Sequence, residues 1–519
     1  MPLRHEGVAT KMAGRRESAP SSHEDRRVTK RMSDALSLAE RDTPPKDHQK
    51  GEPAVNERIL LYKIDLFVLS FVCLQYWINY VDRVSFGNAY VSGMDKELGL
   101  HGNQFNVINT CFTVGYILGM LPNNLLLLVL PPRIWLSVCT LGWGLLTLAM
   151  YRATSFEYCC AVRFFQAVFE SCTFSGTHLI LGSWYKENEL ALRSAVFTAS
   201  GLIGSMCSGM MQVAIFDAMD GRRGISGWRW LFIIDFLVTV PIAIYGFIFF
   251  PGTPDHNRAD TSALVFSKAE LRYARARLPA RDERARLDLS VFHRVLGRWH
   301  WWLFSLLWVA GGENISFASN STFSLWLANR GYSLAQRNRY PMGIFAVGIA
   351  ATFASAFYMD RCRCSQHWHV ALAITAVMCI VAVLIRSNPL SPAIMFAAQY
   401  LGGVAYAGQA IFFSWANIVC QSDLQERAIV LASMNMFSGA VNAWWSPLSY
   451  SATTVPHFRN GCYALLGTSI VSALISVIVR LLQLREQRRK LADLPANLNY
   501  VGADTSLEDP LATDSHRSP

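Results

Sequence analysis

About twelve apolar runs of roughly twenty residues recur along the chain, each long enough to carry a helix across a ~30 Å hydrocarbon core. No other feature restricts the fold as much. A segment in lipid must satisfy its own backbone hydrogen bonds, and a helix does so within one run. The runs fall at 64–81, 105–127, 133–151, 157–182, 191–216, 229–250, 301–321, 341–359, 368–386, 391–413, 428–450 and 462–484. Charged residues make up only 16% of the chain against 52% hydrophobic, where soluble proteins carry roughly a quarter charged. A disordered chain, a collagen repeat and a disulfide scaffold are thereby excluded. The expected class is an all-α polytopic membrane protein with twelve transmembrane helices.

The net charge of +10 is informative mainly through its placement. Lys and Arg gather before residue 58, in the middle stretch (Arg258, Lys268, Arg272, Arg275, Arg277, Arg281, Arg284, Arg286, Arg294 and Arg298) and after the last run (Arg485, Arg488, Arg489 and Lys490). Even numbers of helices between these stretches put all three on one side, and the basic side is the cytoplasmic one. The charge is therefore read as a topology signal facing anionic lipid, and no nucleic-acid partner is expected. Cys73, Cys111, Cys139, Cys172, Cys207 and Cys379 lie inside apolar runs, where they act as small hydrophobes. The first fifty residues hold no apolar core, so the first helix is expected to direct insertion itself.

This pattern divides the chain into a basic disordered cytoplasmic tail (1–60), a first six-helix bundle (61–250), a basic cytoplasmic linker (251–300), a second six-helix bundle (301–485) and a second disordered tail (486–519). Within the linker, 267–278 is Arg-rich with apolar residues at helical spacing, and reads as a short amphipathic helix at the inner surface. Transporters built from two six-helix repeats have this layout, with substrate held near the midplane between the halves. Gly115 and Gly119, and Gly201, Gly204 and Gly209, stand at spacings that allow helices to approach closely.

Ionisable residues inside a membrane are costly, so each is a functional candidate. The fourth run carries Arg163, Gln166, Glu170 and His178. Arg163 and Glu170 are two turns apart on one face, and His178 lies about 80° around the same broad side. Glu170 falls near the midplane, where a carboxyl can exchange a proton; the alternative is an internal Arg–Glu pair that only holds helices together. Asp82 and Arg83 end the first run, Asp235 lies inside the sixth, and Glu313 lies in the second half of the seventh. Asp235 could equally partner Arg229, and Asp65 at the inner mouth reads as an interfacial residue. Trp415, Trp444 and Trp445 are candidate cavity walls, with packing or an interfacial belt as the equal alternative.

Cys362, Cys364, His367 and His369 are soft-metal ligands by type, but a turn this tight would struggle to wrap a tetrahedral site, so neither metal nor cofactor is expected. Walker and nucleophile-elbow motifs are missing from the sequence, which leaves an ion gradient or the substrate's own gradient as the energy source. An intramembrane enzyme is disfavoured because the runs hold no nucleophile–base set.

Several strings resemble the major facilitator superfamily, in its fungal anion:cation symporter (allantoate permease) branch. The first run ends Tyr80-Val-Asp-Arg-Val-Ser-Phe-Gly-Asn-Ala89, similar to that branch's Asp-Arg-x-Asn-x-Gly-Asn-Ala. The second reads Leu121-Pro-Asn-Asn124, and the fourth reads Arg163 through Glu170 to Ser175-Gly-Thr-His178. Gly227-Trp-Arg-Trp-Leu-Phe-Ile-Ile-Asp235, Glu426-Arg-Ala428, Met434-Asn435 and Asn442-Ala-Trp-Trp445 are closer to the pantothenate-transporter-like subgroup. Ser85 departs from the usual Asn, Gln166 from a second carboxylate, and Gly252 from the common Asp after the sixth-run proline.

The resemblance implies a proton-coupled carrier, with both termini cytoplasmic, that moves a small organic anion across the plasma membrane by alternating access. Arg83 matches the arginine expected to meet a substrate carboxylate, with Arg163, Asn435 and Trp415 as further substrate candidates. Glu170, His178 and Asp235 are the proton-coupling candidates. The expected partners are the anion, protons and the bilayer, and the carrier is expected to be a monomer. An efflux carrier for a secondary metabolite on the same fold, and a non-transporting nutrient sensor, are the alternatives.

Overall fold

The computed structural model describes residues 55–254, 265–278, 290–319, 322–362, 366–387, 391–450 and 457–492. By internal packing the chain divides into residues 53–483 and a unit made of residues 1–52 with 484–519. Of the second unit, the described part is the end of the last helix. Most of the two expected tails, parts of the linker, Asn320 with Ser321, and Cys364 lie outside the described residues.

The first six passes are α1 (Glu57–Glu97), α2 (Gln104–Val129), α3 (Pro132–Arg152), the pair α4 (Phe156–Glu170) and α5 (Thr173–Trp184), α6 (Glu187–Met219) and α7 (Gly227–Phe249). Two short helices, α8 (Lys268–Ala276) and α9 (Ser290–Leu296), lead into the pair α10 (Trp299–Ser319) and α11 (Thr322–Asn329). Then follow α12 (Leu334–Arg339), α13 (Met342–Cys362), α14 (His367–Ser387), the pair α15 (Pro392–Gly402) and α16 (Ala407–Val419), α17 (Leu424–Ser449) and α18 (Arg459–Ala492). Among the described residues, eight helices are long and apolar enough to cross a bilayer as single pieces. The passes through α4–α5, α10, α15–α16 and α17 are broken or carry more polar residues, and they complete the twelve.

The expected boundaries err most at the first pass. Its apolar run ends at 81, yet α1 stays helical past Ala89 and, after a kink at Ser92 and Gly93 (φ +105°), ends in a last turn at Glu97. Lipid solvates only the apolar stretch, while Asp82, Arg83 and the terminal Asp95-Lys-Glu97 turn extend the same helix into protein and water. The fourth pass breaks directly after Glu170. There Asn123 of α2 donates to the Val168 carbonyl and to Ser171 Oγ, both at 2.7 Å, and so satisfies the backbone where the ladder is interrupted.

The glycines act in packing. A Cβ on Gly204 would meet the Trp77 carbonyl at 2.5 Å, and one on Gly119 would lie 3.0 Å from the Val168 backbone, so α6 rests on α1 and α2 on α4 at backbone distance. Gly209 has only Met342 near it, at 3.9 Å, and takes no part in such a contact.

The basic end of the bundle is tied by ion pairs. Ser267 and Glu270 form a reciprocal cap on α8, and Lys63 of α1 reaches Glu270 at 2.7 Å. Lys186 pairs with Glu57 at 2.8 Å, Arg193 with Asp65 at 3.0 Å, and Arg294 with Asp423 at 3.0 Å. Asp65 is thus a paired residue, also accepting from Tyr185 at 2.8 Å. Each exposed pair is worth little alone.

At the same end the two halves touch through buried polar bonds. Arg427 of α17 donates to the Gly182 carbonyl at 3.0 Å and to Ser183 Oγ at 2.8 Å, placing a cation on the negative C-terminus of α5. Asn417 of α16 donates to the His178 carbonyl at 2.8 Å. These contacts join the two halves at this end.

Candidate functional site

Above that junction, α1, α2 and α4 bring together the charges that the sequence singled out. Arg83 Nε donates to Glu170 Oε2 at 3.2 Å. The arginine that touches Glu170 is therefore Arg83, across the helix interface. Arg163, two turns before Glu170 on α4, reaches it through Gln166. Arg163 Nη1 donates to Gln166 Oε1 at 3.2 Å, and Gln166 Nε2 donates to Glu170 Oε1 at 3.0 Å. The Arg83 side chain is 28% exposed while Glu170 is fully enclosed.

Aromatic rings hold both guanidinium groups. Arg83 lies 4.5 Å from the centroid of Tyr116, 5.6 Å from Phe112 and 5.8 Å from Tyr80. Arg163 lies 4.1 Å from Phe112 and 4.7 Å from Phe86. Phe112 is therefore shared between the two cations, and desolvated contacts of this kind are worth about 2 kcal/mol each. Tyr116 also spans the halves, since Asn435 Nδ2 of α17 reaches its hydroxyl at 3.5 Å. Sequence reasoning passed over Tyr80, Phe112 and Tyr116. The available signal was the aromatic pair at i and i+4 on α2, which stacks at 6.2 Å beside the arginines.

Asp235 does not pair with Arg229. Arg229 binds Glu97 at 2.9 Å and the Ala153 carbonyl at 3.1 Å. Asp235 is instead buried beside Asp82, close enough for the two carboxyl groups to act on each other. None of their four oxygens has a hydrogen-bond partner among the described residues. Three carboxyl groups (Asp82, Glu170, Asp235) thus share this interior with two guanidiniums.

His178 stands apart from that network. Its ring is boxed by Phe174 at 4.9 Å, Phe197 at 5.4 Å and Phe413 of the second half at 4.8 Å, with neither ring nitrogen bonded among the described residues. Trp415 is buried, bonds Gln483 at 3.0 Å and stacks on His367 at 6.0 Å, so it is not gathered to the Arg83 cluster. Trp444 is 54% exposed. Of the suspected metal ligands, His367 is engaged with Trp415, His369 bonds Tyr358 at 3.1 Å, and the Cys362 side chain and Cys364 lie outside the described residues. His300, Cys420 and Glu426 do converge elsewhere, but Glu426 is already taken by Arg298 and by His300 at 2.7 Å.

The arrangement is a water-reachable cation beside a sealed carboxyl, between two halves that meet at one end. Residues 72–446 match the Major Facilitator Superfamily. The chain is 66% identical over 441 residues to the pantothenate transporter FEN2 of Saccharomyces cerevisiae, covering 84% of this chain and 86% of that one. It is 39% identical over 435 residues to the pantothenate transporter liz1 of Schizosaccharomyces pombe, covering 84% of each. Among solved structures, the proton:xylose symporter XylE superposes with a TM-score of 0.61 at 11% identity, over 81% of this chain and 95% of that one. The transporter FucP in its outward conformation superposes with a TM-score of 0.58 at 12% identity, over 80% and 98% of the two chains. The chain belongs to the Major Facilitator Superfamily and, within it, to the pantothenate-transporter-like secondary carriers, which are transporters and not enzymes.

Proposed function

We propose that this carrier takes up pantothenate, or a closely similar carboxylate, together with protons across the plasma membrane, as a monomer with both termini in the cytoplasm. The observation that carries the reading is the Arg83–Glu170 pair at 3.2 Å, one partner reachable by water and the other sealed. Nε of Arg83 is committed to Glu170, which turns the Nη edge of the fork toward Tyr116 and the cleft. A substrate carboxylate arriving from the open side competes with Glu170 for that fork. Once displaced, Glu170 is a buried carboxyl without its cation, and such a group is stable only with a proton. Substrate and proton are thereby loaded together.

Asp82 and Asp235 extend the same logic. Three carboxyl groups against two guanidiniums are neutral only when one of them is protonated, so the cluster holds a proton in reserve. Asn435 contributes a polar contact from the second half, and Arg163 steadies Glu170 through Gln166. His178, shut into its aromatic box, becomes reachable from the basic side when the bundles 61–250 and 301–485 rock apart there. Breaking the Arg427 and Asn417 contacts is the step that opens that side.

Uptake of labelled pantothenate in cells at two external pH values is the test. Faster, concentrative uptake at the more acidic pH supports the reading, whereas retention improving when the carrier is deleted indicates efflux. Orientation has its own check. Cysteines placed at exposed positions of α8 are expected to resist an impermeant thiol reagent in intact cells and to react after permeabilisation. Labelling in intact cells would reverse the topology.

A further inference from the structure

Directly above the Asn435–Tyr116 contact, α17 presents a second amide. Asn442 is seven residues on from Asn435, which is two turns of the same helix face and about 10 Å along the axis. That face looks toward the first half, because Asn435 touches Tyr116 and Gly439, between them, has Ile117 of α2 as its nearest neighbour at 3.8 Å. Asn442 Nδ2 donates to Glu313 Oε2 of α10 at 3.2 Å. A carboxyl acceptor fixes which way the amide points: its nitrogen turns to Glu313 and its oxygen turns away. Oδ1 of Asn442 has no donor among the described residues, and the residue is half-buried, so this oxygen is an unused acceptor on the cleft face.

Glu313 is built in to hold that pose. It is 1% exposed, and its second oxygen and the nearby Tyr450 hydroxyl are both buried without partners among the described residues. The glycine before it, Gly312, has no room for a Cβ against Ser438, which locks α10 to α17 one turn below the Glu313–Asn442 bond.

We propose that Asn442, positioned by Glu313, is the subsite that reads hydroxyl donors at the end of the substrate remote from its carboxylate. The inference rests on the pantothenate reading above. An acid spanning roughly three residues' worth of extended chain reaches from the Arg83 level to the Asn442 level. Arg83 takes the carboxylate in the first half and Asn442 accepts a hydroxyl in the second. A substrate with both ends satisfied therefore bridges the two bundles, and one lacking the hydroxyls leaves the Asn442 oxygen unpaired.

The test compares two acids on the full-length carrier in cells. One is pantothenate. The other is N-(3,3-dimethylbutanoyl)-β-alanine, which keeps the carboxylate, the amide and the carbon skeleton but lacks both hydroxyls. Wild type should prefer pantothenate by about ten-fold in inhibition constant, and Asn442→Leu should lose that preference while its affinity for the hydroxyl-free acid changes less than about two-fold. Glu313→Leu should behave like Asn442→Leu. Glu313→Gln, which still accepts from Asn442, should keep the preference. If Asn442→Leu does not reach the surface, Asn442→Ser replaces it, and a partial loss of preference is expected. An intact preference in the Asn442 variants, or an equal loss in Glu313→Gln and Glu313→Leu, overturns the subsite alone. Failure of wild type to take up pantothenate overturns the reading beneath it as well.

Discussion

Arg83→Ala is expected to abolish net uptake while the protein still reaches the membrane. The substitution removes the cation that, among the described residues, touches Glu170, and with it the fork proposed to receive the substrate carboxylate. Leaving one member of a buried ion pair alone costs about 3–5 kcal/mol, which Glu170 avoids by keeping a proton permanently. Losing a charge-assisted pair to the substrate costs about 1.5–3 kcal/mol more in affinity, or roughly 10- to 150-fold in KM. Arg83→Lys should be impaired nearly as much. An ammonium can face Glu170 or the substrate as a point charge, but it cannot give Nε to one and a two-pronged edge to the other. The aromatic cradle of Tyr80, Phe112 and Tyr116 is also shaped for a flat group. Surface-normalised uptake of labelled pantothenate measures both variants. Wild-type affinity in Arg83→Lys would reduce Arg83 to a packing role.

Glu170→Gln should separate exchange from accumulation. The Gln carbonyl can still accept from Arg83, while its amide nitrogen replaces the oxygen that accepted from Gln166, so the cross-helix contact survives but the group no longer gains or loses a proton. A loaded carrier can reorient in both directions, so exchange between preloaded and external pools should continue near the wild-type rate. Net uptake requires the empty carrier to return after releasing its proton, and that step is lost. Net accumulation above the external concentration should therefore be absent even with a large pH difference imposed. Full accumulation by the Gln variant would transfer the coupling role to Asp82 and Asp235.

Much of the fold was legible because lipid leaves so few options. Twelve apolar runs, their lengths and the basic stretches defined the passes and their grouping. What lipid does not dictate was harder to see. The extension of α1 to Glu97 was hidden because helix continues where hydropathy stops. The break after Glu170 depends on Asn123 from another helix, a contact no local pattern carries.

The site was legible in its expensive residues and illegible in its cheap ones. Arg83, Arg163 and Glu170 are conspicuous in a membrane, yet their sequence spacing suggested an Arg163–Glu170 pair along one helix. The structure supplies Arg83 from a neighbouring helix and inserts Gln166 between the other two. Tyr116 and Phe112 look like ordinary apolar surface until the guanidiniums are placed on them. Asp235 offered Arg229 as a nearby partner in sequence, but Arg229 lies at the helix end, bound to Glu97. Trp415 had the composition of a cavity wall and is instead enclosed between His367 and Gln483.

The coupling of pantothenate to protons is tested most directly in vesicles containing the purified full-length carrier. Labelled pantothenate is supplied outside at equal concentration in all samples, and a pH difference, acidic outside, is imposed or omitted. Transient accumulation above the external concentration is expected only when the pH difference is present, with abolition by a protonophore and a matching alkalinisation of the external medium. Equilibration to the same level with and without the pH difference would contradict proton coupling.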